Sequence, residues 1–210
     1  MLEKSGVKRL VALSSTSRFT KRASSDSDEQ LIASRFAQAE ADIRGWAEKH
    51  GVEWVILRPT LIYGLGRDKN IAEISKLIRR FRVFPLFGKA SGLRQPVHAQ
   101  DVATACLAAS QAPEAANRSY NISGGETLTY REMVTRIFVS LHQRPMLLTV
   151  PIAAFQIAVL CLRRLPRYRN WTPAMAERMD IDMVFDHSDA TRDFNFNPRP
   201  FILSPADLDQ

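Results

Sequence analysis

Gly51-Val52-Glu53-Trp54-Val55-Ile56-Leu57-Arg58-Pro59-Thr60-Leu61-Ile62-Tyr63-Gly64 is the stretch that decides the fold of this 210-residue chain. Val52 to Leu57 is short, apolar and rich in β-formers, and it stops at Arg58-Pro59, so it reads as a buried strand. Upstream, Glu29 to His50 carries Leu31, Ile32, Phe36, Ala39, Ile43, Trp46 and Ala47 at the spacing of one helix face, with Gly51 placed as its stop. Residues 17–28 are polar and serine-rich and read as loop. Before them, Val7 to Leu13 reads as another strand, ending at Ser14-Ser15-Thr16. Strand, long helix and strand make a βαβ unit, which implies a parallel sheet with a right-handed crossover.

Beyond Gly64 the pattern becomes mixed. Ile71 to Phe81 has a helical spacing. Val97-His98 is extended, and Asp101 is placed to cap a helix running through Ala109. Ser119 to Ile122 is extended and Gly124-Gly125 turns the chain. Thr129 with Glu132 forms a capping box for a helix from Tyr130 to Leu141. A helical stretch at Leu147 to Leu162, another near Pro173 to Met179 and an irregular tail complete the chain.

The chain has a net charge of +7 and a pI near 9.8, a balance compatible with anionic small molecules, nucleic acid or an anionic membrane surface. No nucleic-acid-binding motif accompanies the charge, so no nucleic-acid partner is expected. Cys106 and Cys161 sit in apolar runs without zinc spacing and read as core residues of a reducing compartment, with no metal site. The apolar stretch near the start is too short for a signal peptide, and a cytoplasmic location follows as the expectation. The run from Leu147 to Leu162 falls short of a membrane span. Two readings stay open for it: a core or dimer helix of a homo-oligomer, and an interfacial helix giving peripheral membrane contact through residues 147–169, helped by Arg163, Arg164, Arg167 and Arg169.

Five segments, in order, carry a resemblance. Leu10-Val11-Ala12-Leu13-Ser14-Ser15-Thr16, the strand and loop at 51–64, Arg94 to Ala103, Tyr120 to Gly125 and Ser188 to Pro198 resemble landmarks of the extended short-chain dehydrogenase/reductases, the epimerase/dehydratase group. The resemblance implies an α/β fold: the second half of a doubly wound, Rossmann-like parallel sheet plus a small mixed C-terminal substrate lobe. It implies residues 1–64 in the nucleotide-binding part and 65–210 mostly in the lobe, with segments such as 97–123 returning to the sheet. It also implies NAD or NADP as cofactor, an anionic small molecule such as a nucleotide sugar as substrate, and reversible hydride transfer. Carried over residue by residue, Thr16 becomes the catalytic hydroxyl. Ser14, Ser15, Pro59, Thr60, Leu61 and Ile62 line the cofactor, and Arg94 meets the substrate diphosphate. A turn-closing hydroxyl is the plain alternative for Thr16, an ordinary strand exit for Pro59 to Ile62, and a surface ion pair for Arg94.

Two departures stand out. No glycine-rich phosphate loop follows the first strand, and the resemblance implies that the first βαβ units are absent from these 210 residues. The family's Tyr-x-x-x-Lys pair is also missing; Ile32 and Phe36 stand at its expected positions. A second functional reading follows, in which an atypical member binds NAD(P) without turnover and acts as a sensor or assembly subunit.

Overall fold

The structure is a computed structural model that describes residues 6–66, 68, 70–153, 155 and 176–208. In chain order the elements are β1 (Arg9–Leu13), α1 (Ser17–Thr20), α2 (Ser27–Lys49), β2 (Glu53–Pro59), β3 (Ile62–Tyr63), α3 (Ile71–Phe81), β4 (Phe84–Phe87), β5 (Leu93–Arg94), β6 (Val97–His98), α4 (Ala99–Gln111), β7 (Arg118–Ile122), β8 (Leu128–Thr129), α5 (Tyr130–Ser140), β9 (Leu147–Val150), α6 (Ser188–Phe194) and α7 (Pro205–Leu208). They fall into two compact units. The first comprises Met1–Ile62, Pro96–Glu126 and Phe185–Phe201; the second comprises Tyr63–Gln95, Thr127–Val184 and Ile202–Gln210.

The first unit is built on a parallel sheet in the order β1-β2-β7, with Leu10 opposite Trp54 and Leu57 opposite Tyr120. Successive side chains of a strand point to opposite faces, and β2 buries both. Trp54 and Ile56 pack with Ala47 and Trp46 of α2 on one face. Val55 and Leu57 join Val102, Ala105 and Ala109 of α4 and Ala190 and Phe194 of α6 on the other. Burying one such side chain contributes about 1.5–3 kcal/mol, so the central strand anchors the unit. β1 is an edge strand: among the described residues it pairs with β2 alone, and Leu13 is 56% exposed. Asp26 caps α2 by accepting the backbone N–H groups of Asp28 and Glu29, and Gly51, at φ +64°, takes the left-handed turn that ends it.

In the second unit β4 runs parallel to β9, with Phe84 opposite Leu147, and β5 pairs antiparallel with β8. Helix α5 begins with the capping box of Thr129 and Glu132, and it buries Met133, Val134, Ile137 and Phe138. Helix α3, which packs against α5, buries Ile71, Ile74 and Ile78. The segment 178–183 lies along β5: Gly92 N–H donates to Met179 O (3.0 Å), and Met183 N–H donates to Leu93 O (2.9 Å). Gly92 has no room for a side chain, since a Cβ there would lie 2.5 Å from Ile181 O and 2.7 Å from Ile181 N. Gly92→Ala is therefore expected to destabilise the chain by about 1–3 kcal/mol through backbone displacement. Urea unfolding of the variant checks this, and an unchanged midpoint would show that segment 178–183 yields freely.

Four local expectations are corrected. Residues 17–28 are not all loop: Ser17–Thr20 form a helical turn and α2 already starts at Ser27. The cap of α4 is His98, whose Nδ1 accepts Gln100 N–H, while Asp101 binds Arg199. Leu147–Val150 is a strand, because pairing with β4 supplies partners that an apolar run can accept in either conformation. The tail contains helix α6, with Ala190 and Phe194 buried. Cys161, the arginines at 163–169 and most of the apolar run after Val150 lie outside the described residues.

Candidate functional site

In an open parallel sheet ligands bind beyond the carboxyl ends of the strands. Three such ends meet in the first unit, and seven of the eight sequence candidates, all but Arg94, lie at the ends of β1 and β2 or in the segments that follow them. Ser14 N–H donates to Leu57 O (2.7 Å) and Thr16 N–H to Pro59 O (3.1 Å), so the loop after β1 continues the ladder past the strand. Thr60 N–H donates to Ile122 O (3.0 Å), and Val97 N–H donates to Leu61 O (2.9 Å), which holds the 59–62 loop against the end of β7 and against β6. The backbone of Pro59 to Ile62 is thus pinned from both sides, with Pro59 buried and Thr60, Leu61 and Ile62 half-buried.

The three hydroxyls differ in what they do. Thr16 is buried, and its Oγ1 donates to Pro59 O (3.2 Å). Ser14 Oγ donates to Glu40 Oε1 (2.6 Å). Ser15, half-buried, accepts Ser17 N–H at 3.1 Å, an acceptor role that leaves its hydroxyl hydrogen available.

Beneath this loop lies a charged cluster that the sequence reading missed. Glu40 of α2 has a side chain only 1% exposed. Arg58 grips it with both arms, Nε to Oε1 at 2.9 Å and Nη2 to Oε2 at 2.6 Å, and Arg18 Nη1 bonds the same Oε2. The guanidinium carbons of Arg18 and Arg58 lie 5.5 and 5.4 Å from the Phe19 ring centroid. Burial alone would raise the Glu40 carboxyl; the hydrogen bonds from Arg58 and Ser14 and the charges of both arginines outweigh it and hold it below the usual range. The cluster ties α1, α2 and the end of β2 together and keeps Glu40 ionised.

On α2, the positions where the missing pair would stand hold Ile32 and Phe36, which carry no proton to move. Ile32 is 36% exposed and Phe36 half-buried. Two of the described tyrosines give their hydroxyl hydrogens elsewhere: Tyr63 donates to Ile202 O (3.3 Å) and Tyr120 to Asp193 Oδ2 (2.7 Å). Burial pushes the Tyr130 phenol up to about 12, against the opposing charges of Arg94 and Arg178.

Arg94 belongs to the second unit. It is 5% exposed and stacks 5.5 Å from the centroid of Tyr130. Its Nη1 donates to Leu93 O (2.8 Å) and Ile181 O (2.7 Å), and its Nη2 donates to Arg178 O. A guanidinium has five N–H donors, so any anion reaching Arg94 meets a group already holding three carbonyls.

A parallel α/β unit with its loops gathered at the strand ends is the nucleotide-binding class of architecture. The chain belongs to the NAD dependent epimerase/dehydratase family, whose model matches residues 1–123. It is 26% identical over 121 residues to a UDP-glucose 4-epimerase of Vibrio cholerae, covering 58% of this chain and 37% of that protein. Among solved structures it is similar to the UDP-glucose 4-epimerase of Thermotoga maritima, crystallised with UDP-glucose, at a TM-score of 0.67 and 18% identity over 93% of this chain and 60% of that one. It is also similar to the UDP-glucuronic acid 4-epimerase of Bacillus cereus in complex with NAD, at a TM-score of 0.64 and 13% identity over 98% of this chain and 60% of that one. These likenesses fix the fold. The chain spans 37% of the Vibrio cholerae protein and 60% of each of the two solved chains.

Proposed function

We propose that the protein carrying this chain binds NAD or NADP and acts on a nucleotide sugar or similar anionic metabolite by reversible hydride transfer. The observation that carries the reading is the pinned pair of loops at 14–16 and 59–62, gathered at the carboxyl ends of parallel strands. Those loops fit the nicotinamide end of such a cofactor: a rigid wall from Pro59 to Ile62, with the Ser15 hydroxyl beside it. The cofactor supplies the hydride chemistry when bound. The chain's part is to hold that wall in place, through Thr60 and Leu61, and to keep the hydroxyl loop in one conformation through the Glu40 cluster. In this reading Ser15 holds the reacting oxygen, and Thr16, bonded to Pro59 O, fixes the loop next to it. The second unit would form the substrate lobe. Arg94, if it meets the diphosphate, does so with the donors it does not give to carbonyls.

The hydroxyl assignment has a direct test. Ser15→Ala is expected to lower turnover by about 10²-fold, the scale of losing one preorganised donor, with little change in stability. Thr16→Val is expected instead to lower stability by about 1 kcal/mol through its lost bond to Pro59 O. Turnover and urea midpoints of both variants in the complete protein decide between them. A larger turnover loss in Thr16→Val at equal stability would return the role to Thr16.

A second reading has its own observation. With Ile32 and Phe36 where a tyrosine and lysine would stand, and with the Tyr63 and Tyr120 hydroxyls donated elsewhere, a member that binds NAD(P) without turnover is also consistent. It would serve as a sensor or assembly subunit. Calorimetric titration with NAD and NADP, run beside an assay of NADH or sugar-product formation, separates the two. Binding without turnover selects this reading, and binding with turnover selects the first.

A further inference from the structure

The positive charge of the chain is not shared between the units. The first holds 13 lysines and arginines against 14 acidic residues, a net −1, and the second holds 16 against 8, a net +8, so the positive charge of the chain resides in the second. Within the second unit, Glu73 is the one acidic residue of the sequence between 69 and 100, and residues 133–176 contain six arginines and no acid at all.

Apolar side chains break the surface among these charges. On α3, Leu77 and Phe81, one turn apart, are 43% and 56% exposed. Arg80 lies over the Phe81 ring, its guanidinium carbon 5.2 Å from the centroid. Phe84 N–H donates to Met146 O at 3.0 Å, which sets the start of β9 beside the C-terminal end of α3. Met146, just before β9, is 59% exposed and Leu148 on it is 57% exposed, with exposed Pro85 opposite Leu148. Lys76, Arg79, Arg80, Arg82 and Arg144 are all exposed around them. Protruding apolar side chains set among arginines, almost without carboxylates, suit a surface that is apolar below and anionic above. Long basic side chains can lay their stems on the hydrocarbon and keep their heads at the phosphates. Among the described residues no helix is long and apolar enough to cross a membrane.

We propose that the face formed by the end of α3 and the β4–β9 ribbon docks on an anionic lipid bilayer, with Phe81, Met146 and Leu148 entering the interface and Arg80, Arg82 and Arg144 meeting lipid phosphates. The face stands on described residues and is independent of the catalytic reading.

Flotation of the 210-residue chain with vesicles tests it. Vesicles of phosphatidylcholine with phosphatidylglycerol are expected to bind at least tenfold more chain than vesicles of phosphatidylcholine alone, and binding should weaken as salt is raised. The double variant Phe81→Asp, Leu148→Asp is expected to lose at least tenfold in binding, while its circular dichroism and melt stay those of the parent, because both side chains are exposed. Arg80→Gln with Arg144→Gln should weaken binding to anionic vesicles alone. Absence of binding, equal binding to both vesicle types, or parental binding by the double variant would overturn the proposal. Heparin binding as tight as vesicle binding, and indifferent to Phe81→Asp, would also overturn it and point to a soluble polyanion.

Discussion

Replacing Glu40 by alanine is expected to lower folding stability by about 3 kcal/mol or more, among the largest effects of any single substitution in the first unit. Removing one member of a buried ionic group leaves its partners uncompensated, at a typical cost of about 3–5 kcal/mol. Here two arginines and the Ser14 hydroxyl lose a shared acceptor at once. Their side chains are 25% and 15% exposed, so water recovers part of the loss and the lower end of that range applies. The Arg9–Glu53 pair is the control: the Glu53 side chain is 47% exposed, and Glu53→Ala is expected to cost below about 1 kcal/mol. The pH dependence has a definite sign. The Glu40 carboxyl is held below its ordinary 4.5, so its contribution is complete above that pH and fades as pH falls through the lower, folded value. Urea midpoints of the parent and Glu40→Gln should therefore differ most near neutrality and converge in acid. A gap that persists unchanged at pH 3 would show that packing, and not the charge, makes the difference.

Arg94→Ala is expected to have a comparable effect in the second unit. The guanidinium joins Leu93 O, Ile181 O and the Arg178 carbonyl, and so holds segment 178–183 onto β5. Leu93 O keeps Met183 N–H and Arg178 O keeps Ile181 N–H, so the loss falls chiefly on Ile181 O. A buried acceptor left unsatisfied costs about 1–3 kcal/mol, and with the weakened bonds at the other two carbonyls the expected loss is about 2–3 kcal/mol, read as a lower urea midpoint. Arg94→Lys should recover only part of it, because an ammonium lacks the planar fork that reaches three carbonyls. These variants also separate the two roles considered for Arg94. If it acts by holding the lobe, affinity for a nucleotide sugar falls in step with stability, and stabilising the lobe by other means restores it. If it also binds phosphate, Arg94→Lys lowers affinity beyond what the stability loss explains. An Arg94→Ala variant with parental stability would remove the clamp.

The βαβ unit is legible in the amino-acid sequence, because the signals involved are local. The alternating faces of Trp54 to Leu57, the 3.6-residue spacing of α2, the left-handed glycine at 51 and the capping box at Thr129 each act within a few residues of chain. The class of sheet and the family follow from their order. The tertiary structure alone decided the rest. The apolar run at 147–150 can be helix or strand until β4 offers it backbone partners, and α4 is capped by His98 because Asp101 is drawn to Arg199, 98 residues away. Nothing in the spacing of α2 singles out Glu40, and only folding brings Ser14, Arg18 and Arg58 around it from two other segments. Arg94 reads as a cation awaiting an anion, yet its nearest acceptors are carbonyls 84 and 87 residues away. Local patterns record propensity and burial, whereas the partners of a buried charge are chosen by the packing of distant segments, and no spacing along the chain encodes that choice.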